Sequence, residues 1–280
     1  MQAGSPTSRR TVGRSRLWSA YPARTRTPGR GRWLPALVAG VAVLTAWVVV
    51  ARAGIVDPIL LPDPVAVLHR VADWTSSGVL ATYLLPTLGA AALGTALAVA
   101  VALPLGVVLA HSPLLGAALG PFVAFSQAVP LVAVAPLLVL WLGYGTLPIA
   151  VLCAVVAFFP MVTTTVVGLR SLDMRMVDHA WLDGAGWWAR LRHVEAPVAA
   201  PSILAGVRAG VVLSMTGAIV GEFVMGGAGL GTLLTLSREA ADTTGVFAVL
   251  AVLAVVALTL NALFHQFERM SARRLQGEDA

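Results

Sequence analysis

Lysine is absent from this 280-residue chain, and charged residues of all kinds make up only 11% of it. A nucleotide-binding P-loop needs a lysine to reach the phosphates, so this chain cannot contain one. The G-x-S-x-G pattern of hydrolases and the H-E-x-x-H pattern of metalloproteases are also missing. These absences exclude ATP hydrolysis at a P-loop of this chain and leave no motif that predicts an enzyme.

Cysteine and histidine are scarce as well. Cys153 is the single cysteine and lies within an apolar run, so we expect a packing residue and no disulfide. No histidine is accompanied by a second histidine, a cysteine or a carboxylate cluster at the spacing that metal sites use. We therefore expect no metal site and no cofactor, and we predict that the histidines lie exposed on helix faces: His69, His111, His179, His193 and His265.

Apolar residues dominate what is present, at 58% of the chain. A membrane-spanning helix needs about 20 apolar residues, whereas a strand of a membrane barrel alternates apolar and polar residues over about ten. The apolar runs are continuous, which predicts an all-α polytopic membrane protein with about six transmembrane helices. These runs cover residues 33–50, 84–110, 119–142, 147–169, 203–224 and 246–267.

Arginine predicts the orientation, because cytoplasmic loops collect positive charge. With the N-terminus inside, eight arginines of the first 32 residues, four between 170 and 192 and three between 269 and 274 lie in the cytoplasm. Only Arg52, Arg70 and Arg238 then lie outside. We expect both termini in the cytoplasm of a bacterial cell, in the inner membrane, with the positive charge facing lipid headgroups and no nucleic acid.

Composition also divides the chain. Residues 1–32 have no acidic side chain and read as a disordered Arg-rich tail, and residues 271–280 as a second cytoplasmic tail. Residues 33–56 hold the first transmembrane helix, which we expect to stay uncleaved although SRRTV at 8–12 is similar to a twin-arginine signal. Residues 57–270 form the core, with a short external helix expected at 65–74.

One polar segment interrupts the core, DHAWLDGAGWWARLRHVEAPVAAP at 178–201. Apolar residues recur at helical spacing from 173 to 194, Gly184 and Gly186 interrupt them, and Pro197 and Pro201 are expected to end the helix. This pattern predicts a hinged pair of short helices with an aromatic ridge rimmed by charge. Such a ridge suits either the lipid headgroup region or a groove on a soluble partner.

The same segment resembles the cytoplasmic loop of permease subunits of bacterial ATP-binding-cassette (ABC) importers, E-A-A-x-x-x-G followed by a hydrophobic residue and proline. Asp178, His179 and Ala180 stand at the E-A-A, Gly184 at the glycine, and Pro197 with Pro201 at the prolines. Other segments look like the subgroup that handles nitrate, sulfonates, taurine and thiamine precursors. They are LPDPVAVL at 61–68, SQAVPLVAVAPLLVLWLGYG at 126–145, FFP at 158–160, GLRSLD at 168–173 and GEFVMGGAGLG at 221–231.

This resemblance implies a function for the loop at 173–201. It would insert into a cytoplasmic ABC ATPase dimer, which hydrolyses ATP, while an external binding protein delivers the solute to a permease homodimer. The coupling residues would be Asp178, His179, Ala180, Gly184, Trp188 and Pro197. The chain departs from the pattern at Asp178, which replaces a glutamate, and at His179, which adds bulk where the family has a small residue.

Three polar residues within the apolar runs are candidates for the translocation path or its external mouth, namely Gln127, Thr164 and Glu222. A carboxylate within a span tends to face a cavity or a partner. For Glu222 we favour a structural role, with Arg238 and the backbone amides of Gly226, Gly227 and Gly229 as expected partners.

The segments SQAVP at 126–130 and VGEF at 220–223 look closer to family members that handle thiamine-pyrimidine precursors or riboflavin. Sulfonate, taurine or nitrate is the alternative solute. Two other classes stand against the importer. An ion-coupled secondary transporter would need repeats with broken helices at mid-membrane. A membrane-embedded enzyme would need clustered catalytic groups.

Overall fold

The computed structural model describes residues 33–57, 59–126 and 130–277. The described residues divide into two compact units, one ending at Val50 and the other beginning at Ala51. Helix α1, Trp33–Arg52, provides the described part of the first unit and ends just inside the second. No strand occurs in the described ranges, so the predicted all-α fold is confirmed.

Three long helices form the centre of the second unit: α3 (Val79–His111), α6 (Thr146–Arg170) and α9 (Ala196–Met225). A Cβ built on Gly94 of α3 would lie 2.3 Å from the Cβ of Cys153, and one on Gly106 would lie 2.7 Å from the Cβ of Thr165. Both pairs are 59 positions apart, so α3 and α6 run parallel. Small residues at these crossings allow the backbones to approach closely, as in membrane helix packing generally.

Helix α9 runs antiparallel to α6. Gly206 of α9 faces Thr164, Gly210 faces Met161, and Gly217 faces Cys153, so positions rise on one helix as they fall on the other. Cys153 is fully buried in this contact, as expected of a packing residue.

The chain returns between the parallel helices α3 and α6 through two helices, α4 (Pro113–Ser126) and α5 (Leu131–Leu142). The prediction of a single span over 119–142 is wrong, because this stretch is divided between α4 and α5. Pro130 precedes α5 in an extended conformation, and proline has no amide hydrogen to continue a helix. Neither α4 nor α5 alone has the length of a span.

Helices α2 (Pro64–Ser76), α10 (Leu230–Glu239) and α11 (Thr243–Gly277) pack against this centre. Helix α2 contains the short helix expected at 65–74, and the carboxylate of Asp63 caps it by accepting from the Val65 amide at 2.9 Å. Helices α10 and α11 follow α9. Arg70 of α2 forms an ion pair with Asp242, which precedes α11.

Within the described ranges, four helices are long and apolar enough to cross a membrane: Val79–His111, Thr146–Arg170, Trp187–Met225 and Thr243–Phe264. Shorter apolar helices cover Val38–Arg52, Pro113–Val123 and Ala133–Leu142. The chain is therefore a multi-pass membrane protein, as its composition predicted.

Candidate functional site

The polar segment between α6 and α9 forms a helix, a turn and a second helical stretch. Helix α7 covers Met174–Leu182, and Asp173 caps it by accepting from the Arg175 amide at 3.0 Å. Helix α8 covers Trp187–Arg190, and a π-helical segment covers Leu191–Glu195. The hinged helical pair predicted from the sequence is present.

A Schellman turn joins α7 to α8. Gly184 has a φ of +79° in the left-handed region, its amide donates to Trp181 O at 3.0 Å, and the Ala185 amide donates to Ala180 O at 3.1 Å. Glycine is the residue that adopts this conformation without a steric penalty. Gly186, by contrast, has an ordinary φ of −63°.

The prediction that Pro197 and Pro201 end the helix is wrong. Helix α9 begins at Ala196, directly after the π segment, and both prolines lie inside it. Proline is tolerated in the first turn of a helix, and its ring conflicts with the carbonyl four residues earlier. For Pro197 that carbonyl belongs to His193. His193 lies in the wider π turn from Leu191 to Glu195, in which the Ala196 amide donates to Leu191 O.

Large apolar side chains are exposed around the turn, and they form what we call the aromatic ridge: Trp181, Leu182, Trp187 and Trp188. Trp188 is 64% exposed and contacts Trp187, with ring centroids 5.9 Å apart. Asp178 and His179 are exposed on α7, while Ala180 and Pro197 are half-buried. The predicted coupling residues thus lie along one segment, with apolar and charged groups open to a partner.

Glu222 lies near the far end of α9 from this segment. Its Oε2 accepts from the Thr87 hydroxyl at 3.0 Å and from the Gly231 amide at 2.8 Å, and the residue is 2% exposed. The Thr87 hydroxyl also accepts from the Leu230 amide at 2.8 Å. This network connects α3, α9 and the start of α10.

The structure corrects the partners expected for Glu222. Gly231 and Thr87 replace the amides of Gly226, Gly227 and Gly229, and the Arg238 guanidinium lies 5.2 Å from the Phe223 ring centre. Gly229 does pack on the carboxyl group, because an added Cβ there would lie 2.0 Å from Oε1. Thr87, far away in the sequence, gave no signal as a partner.

A cavity of about 380 Å³ borders this network, and its lining includes Tyr144, Thr146, Gly227 and Glu222. Thr164 lies elsewhere: its hydroxyl donates to Pro160 O at 2.7 Å, and the side chain fills the space opposite Gly206. Gln127 lies outside the described residues.

Another buried carboxylate lies at the junction of the polar segment and α9. Glu195 Oε2 lies 2.6 Å from His111 Nε2, and Glu195 Oε1 accepts from Arg190 Nε at 2.8 Å. The prediction that His111 is an exposed helix-face residue is wrong, whereas His69, His179 and His193 are exposed as predicted. His265 lies outside the residues whose side chains are described.

Comparison with known proteins identifies the group to which this architecture belongs. Residues 102–277, more than half of the chain, match the family described as "Binding-protein-dependent transport system inner membrane component". The chain belongs to this family of ABC importer permeases. The resemblance drawn from the loop motif is confirmed.

Two curated relatives illustrate the range of the family. The permease is 42% identical over 214 residues to the riboflavin transport system permease protein RibX of Chloroflexus aurantiacus, covering 76% of this chain and 80% of RibX. It is 31% identical over 206 residues to the formylaminopyrimidine transport permease protein ThiX of Halalkalibacterium halodurans, covering 74% and 82%.

The chain is also similar to a sulfonate permease and to a permease of known structure. Identity is 30% over 225 residues to the putative aliphatic sulfonates transport permease protein SsuC of Bacillus subtilis, covering 80% of this chain and 82% of SsuC. A chain of the inward-facing MetNI methionine ABC transporter matches with a TM-score of 0.61 at 16% identity, covering 70% of the permease and 98% of that chain. This last likeness supports the fold alone.

Proposed function

We propose that this permease forms the translocation path of an ABC importer, and that ATP hydrolysis in a separate chain drives it through residues 174–190. The exposed aromatic ridge carries the proposal. Its four large apolar side chains stand beside the exposed Asp178 and His179, a combination that suits a groove on a soluble protein. The family match covers the whole segment.

The proposed importer contains two copies of the permease, two ATPase chains and an external binding protein. Cassette ATPases close in pairs on two nucleotides, and each permease copy offers one coupling segment, so a pair needs two copies. With both termini in the cytoplasm, the ridge faces the ATPase and the turn at Tyr144 faces outside. Native mass spectrometry of the purified complex should show two permease copies, and a single copy would contradict this assembly.

For the solute we propose riboflavin or a related pyrimidine such as formylaminopyrimidine. The relatives RibX and ThiX bear those solutes in their names, and RibX has the higher identity of the two. Sulfonate import is the alternative, because SsuC is a relative of similar coverage. Uptake of labelled riboflavin by proteoliposomes with ATPase and binding protein, competed by unlabelled formylaminopyrimidine or taurine, separates these classes.

The coupling role is tested by a matched pair of glycine variants. A Cβ on Gly184 or on Gly186 meets nothing within 4 Å, so both positions have room for the first carbon of a valine side chain. Only Gly184 has a positive φ, which costs an L residue about 1–2 kcal/mol and a β-branched one more. Gly184→Val should therefore distort the turn, and Gly186→Val should not.

The measurement is ATP hydrolysis by the reconstituted complex, with recovery of the permease in membranes as the control for folding. We expect Gly184→Val to insert normally but to lose the hydrolysis that loaded binding protein stimulates, and Gly186→Val to match the wild type. Normal stimulated hydrolysis by a well-expressed Gly184→Val variant would refute the coupling role.

A further inference from the structure

The π-helical segment places two charged residues of the chain together. Residues five apart lie about 140° from each other around an α-helix, since 3.6 residues make a turn. Arg190 and Glu195 are five apart, yet Arg190 Nε donates to Glu195 Oε1 at 2.8 Å. The wide turn, with its Ala196 amide on Leu191 O, brings them onto one face. Such π turns occur frequently at functional sites.

His111 binds the same carboxylate from another helix. It is the last residue of α3, its Nδ1 lies 2.9 Å from Val107 O, and its Nε2 lies 2.6 Å from Glu195 Oε2. The side chain of Glu195 is only 4% exposed. Each oxygen of a buried carboxylate thus has a nitrogen partner, one from α8 and one from α3.

The nearby Trp187 connects this cluster to the aromatic ridge. Its ring meets His111 edge to face, with centroids 6.1 Å apart. Arg170, the last residue of α6, donates to Leu109 O in the final turn of α3 at 2.8 Å. The end of α3 is therefore held by α6 on one side and by the polar segment on the other.

The far ends of α3 and α9 are joined as well. Thr87 of α3 donates to Glu222 of α9, and between the two ends Ser214 donates to Ala91 O at 2.8 Å. From Thr87 to His111 an α-helix spans about 36 Å. Helix α3 thus connects the polar segment, at Glu195, to the network around Glu222.

We propose that Glu195, held by His111 and Arg190, is the positioning residue that makes the ATPase-coupling segment and α3 move as one body. This role rests on the proposed function of the segment. Because its side chain is only 4% exposed, Glu195 acts by holding the two elements together. Coupling between distant sites travels through such packed, hydrogen-bonded connections.

Spin-label distances in the intact complex test this directly. Cysteines replace Arg175 on α7 and the half-exposed Val108 in the last turn of α3, in a Cys153→Ala background, because Cys153 is the chain's single cysteine. The labelled permease is diluted with unlabelled Cys153→Ala permease, so that a complex with two copies carries one label pair. The distance between the two labels of one copy is measured without nucleotide and after trapping with ATP and vanadate, with trapping verified by retained ADP. The probe is the nucleotide, so no transported solute is needed.

In the wild type we expect the same distance distribution in both states, because the two labelled elements move together. His111→Ala should shift and broaden the distribution on trapping, and His111→Gln, which keeps a side-chain donor, should restore it. The matched control is His193→Ala, since His193 is exposed and its ring bonds Ala189 O of its own helical stretch.

Three results would overturn the inference. The first is a wild-type distance that changes on trapping, and the second is a His111→Ala distribution equal to that of the wild type. In the third, His111→Ala changes the distance equally with and without nucleotide and lowers ATPase recovery, which identifies a purely structural contact. If the wild-type permease recovers no ATPase at all, the proposed function fails first.

Discussion

Replacing Glu222 by alanine and by glutamine separates hydrogen bonding from charge at the far end of α9. Both variants lack the carboxylate, so any cost of burying that group cancels when the two are compared with each other. In the wild type, the Thr87 hydroxyl and the Gly231 amide lie 3.0 and 2.8 Å from Glu222 Oε2. Glutamine retains a carbonyl oxygen that can accept from both donors. Alanine leaves the Gly231 amide without this acceptor.

The size of the difference follows from the two bonds. A buried donor left unsatisfied costs about 1–3 kcal/mol, and an ordinary hydrogen bond contributes about 1 kcal/mol. The Thr87 hydroxyl has a substitute acceptor in Tyr83 O at 3.2 Å, so its loss is the smaller of the two. We expect Glu222→Ala to be less stable than Glu222→Gln by about 2–4 kcal/mol in free energy of unfolding.

Unfolding of the purified permease in mixed detergent micelles measures this difference. The control is the pair Glu239→Ala and Glu239→Gln, because Glu239 is exposed at the end of α10, and these two should unfold alike. Equal stability of the two Glu222 variants would show that the network with Thr87 and Gly231 does not stabilise the fold.

Two further predictions concern packing and capping. Gly206→Val should sharply lower the thermal stability, because a Cβ added there would lie 1.8 Å from Thr164 Oγ1. Gly89→Val should not, because a Cβ added at Gly89 meets nothing within 4 Å. Equal melting temperatures of the two variants would contradict the α6–α9 contact. Asp242→Ala should destabilise the permease more than Arg70→Ala, because Asp242 also accepts from the Gly245 amide at 3.0 Å at the start of α11. This capping bond contributes about 1 kcal/mol. A larger loss of stability in Arg70→Ala, measured in the same unfolding assay, would refute this.

Much of the fold could be predicted because it depends on local composition. Continuous apolar runs mark helices in a bilayer. The short helix expected at 65–74 is present and begins at Pro64, after the cap Asp63. The division of the third run into α4 and α5 depends on Pro130. A proline within an apolar run can either kink a helix or end it, and the sequence alone does not distinguish the two.

The site was predictable where it depends on backbone conformation and not where it depends on distant contacts. Gly184 indicated the turn because few residues adopt its φ. The pairing of Glu195 with His111 joins positions 84 apart, and that of Glu222 with Thr87 joins positions 135 apart. Neither pair has a local pattern, which is why the sequence predicts a surface position for His111.

The most direct test of the account is a photo-crosslinking residue placed at Trp188 of the full-length permease in its native membrane. Trp188 is 64% exposed on the aromatic ridge, and Tyr144, 85% exposed at the turn between α5 and α6, is the matched site at the other end of α6. Irradiation should join an ATP-binding chain to the permease from position 188 and not from position 144. Capture of that chain from Tyr144 instead, or from neither site in a membrane where both variants insert, would contradict the proposed coupling to an ATPase.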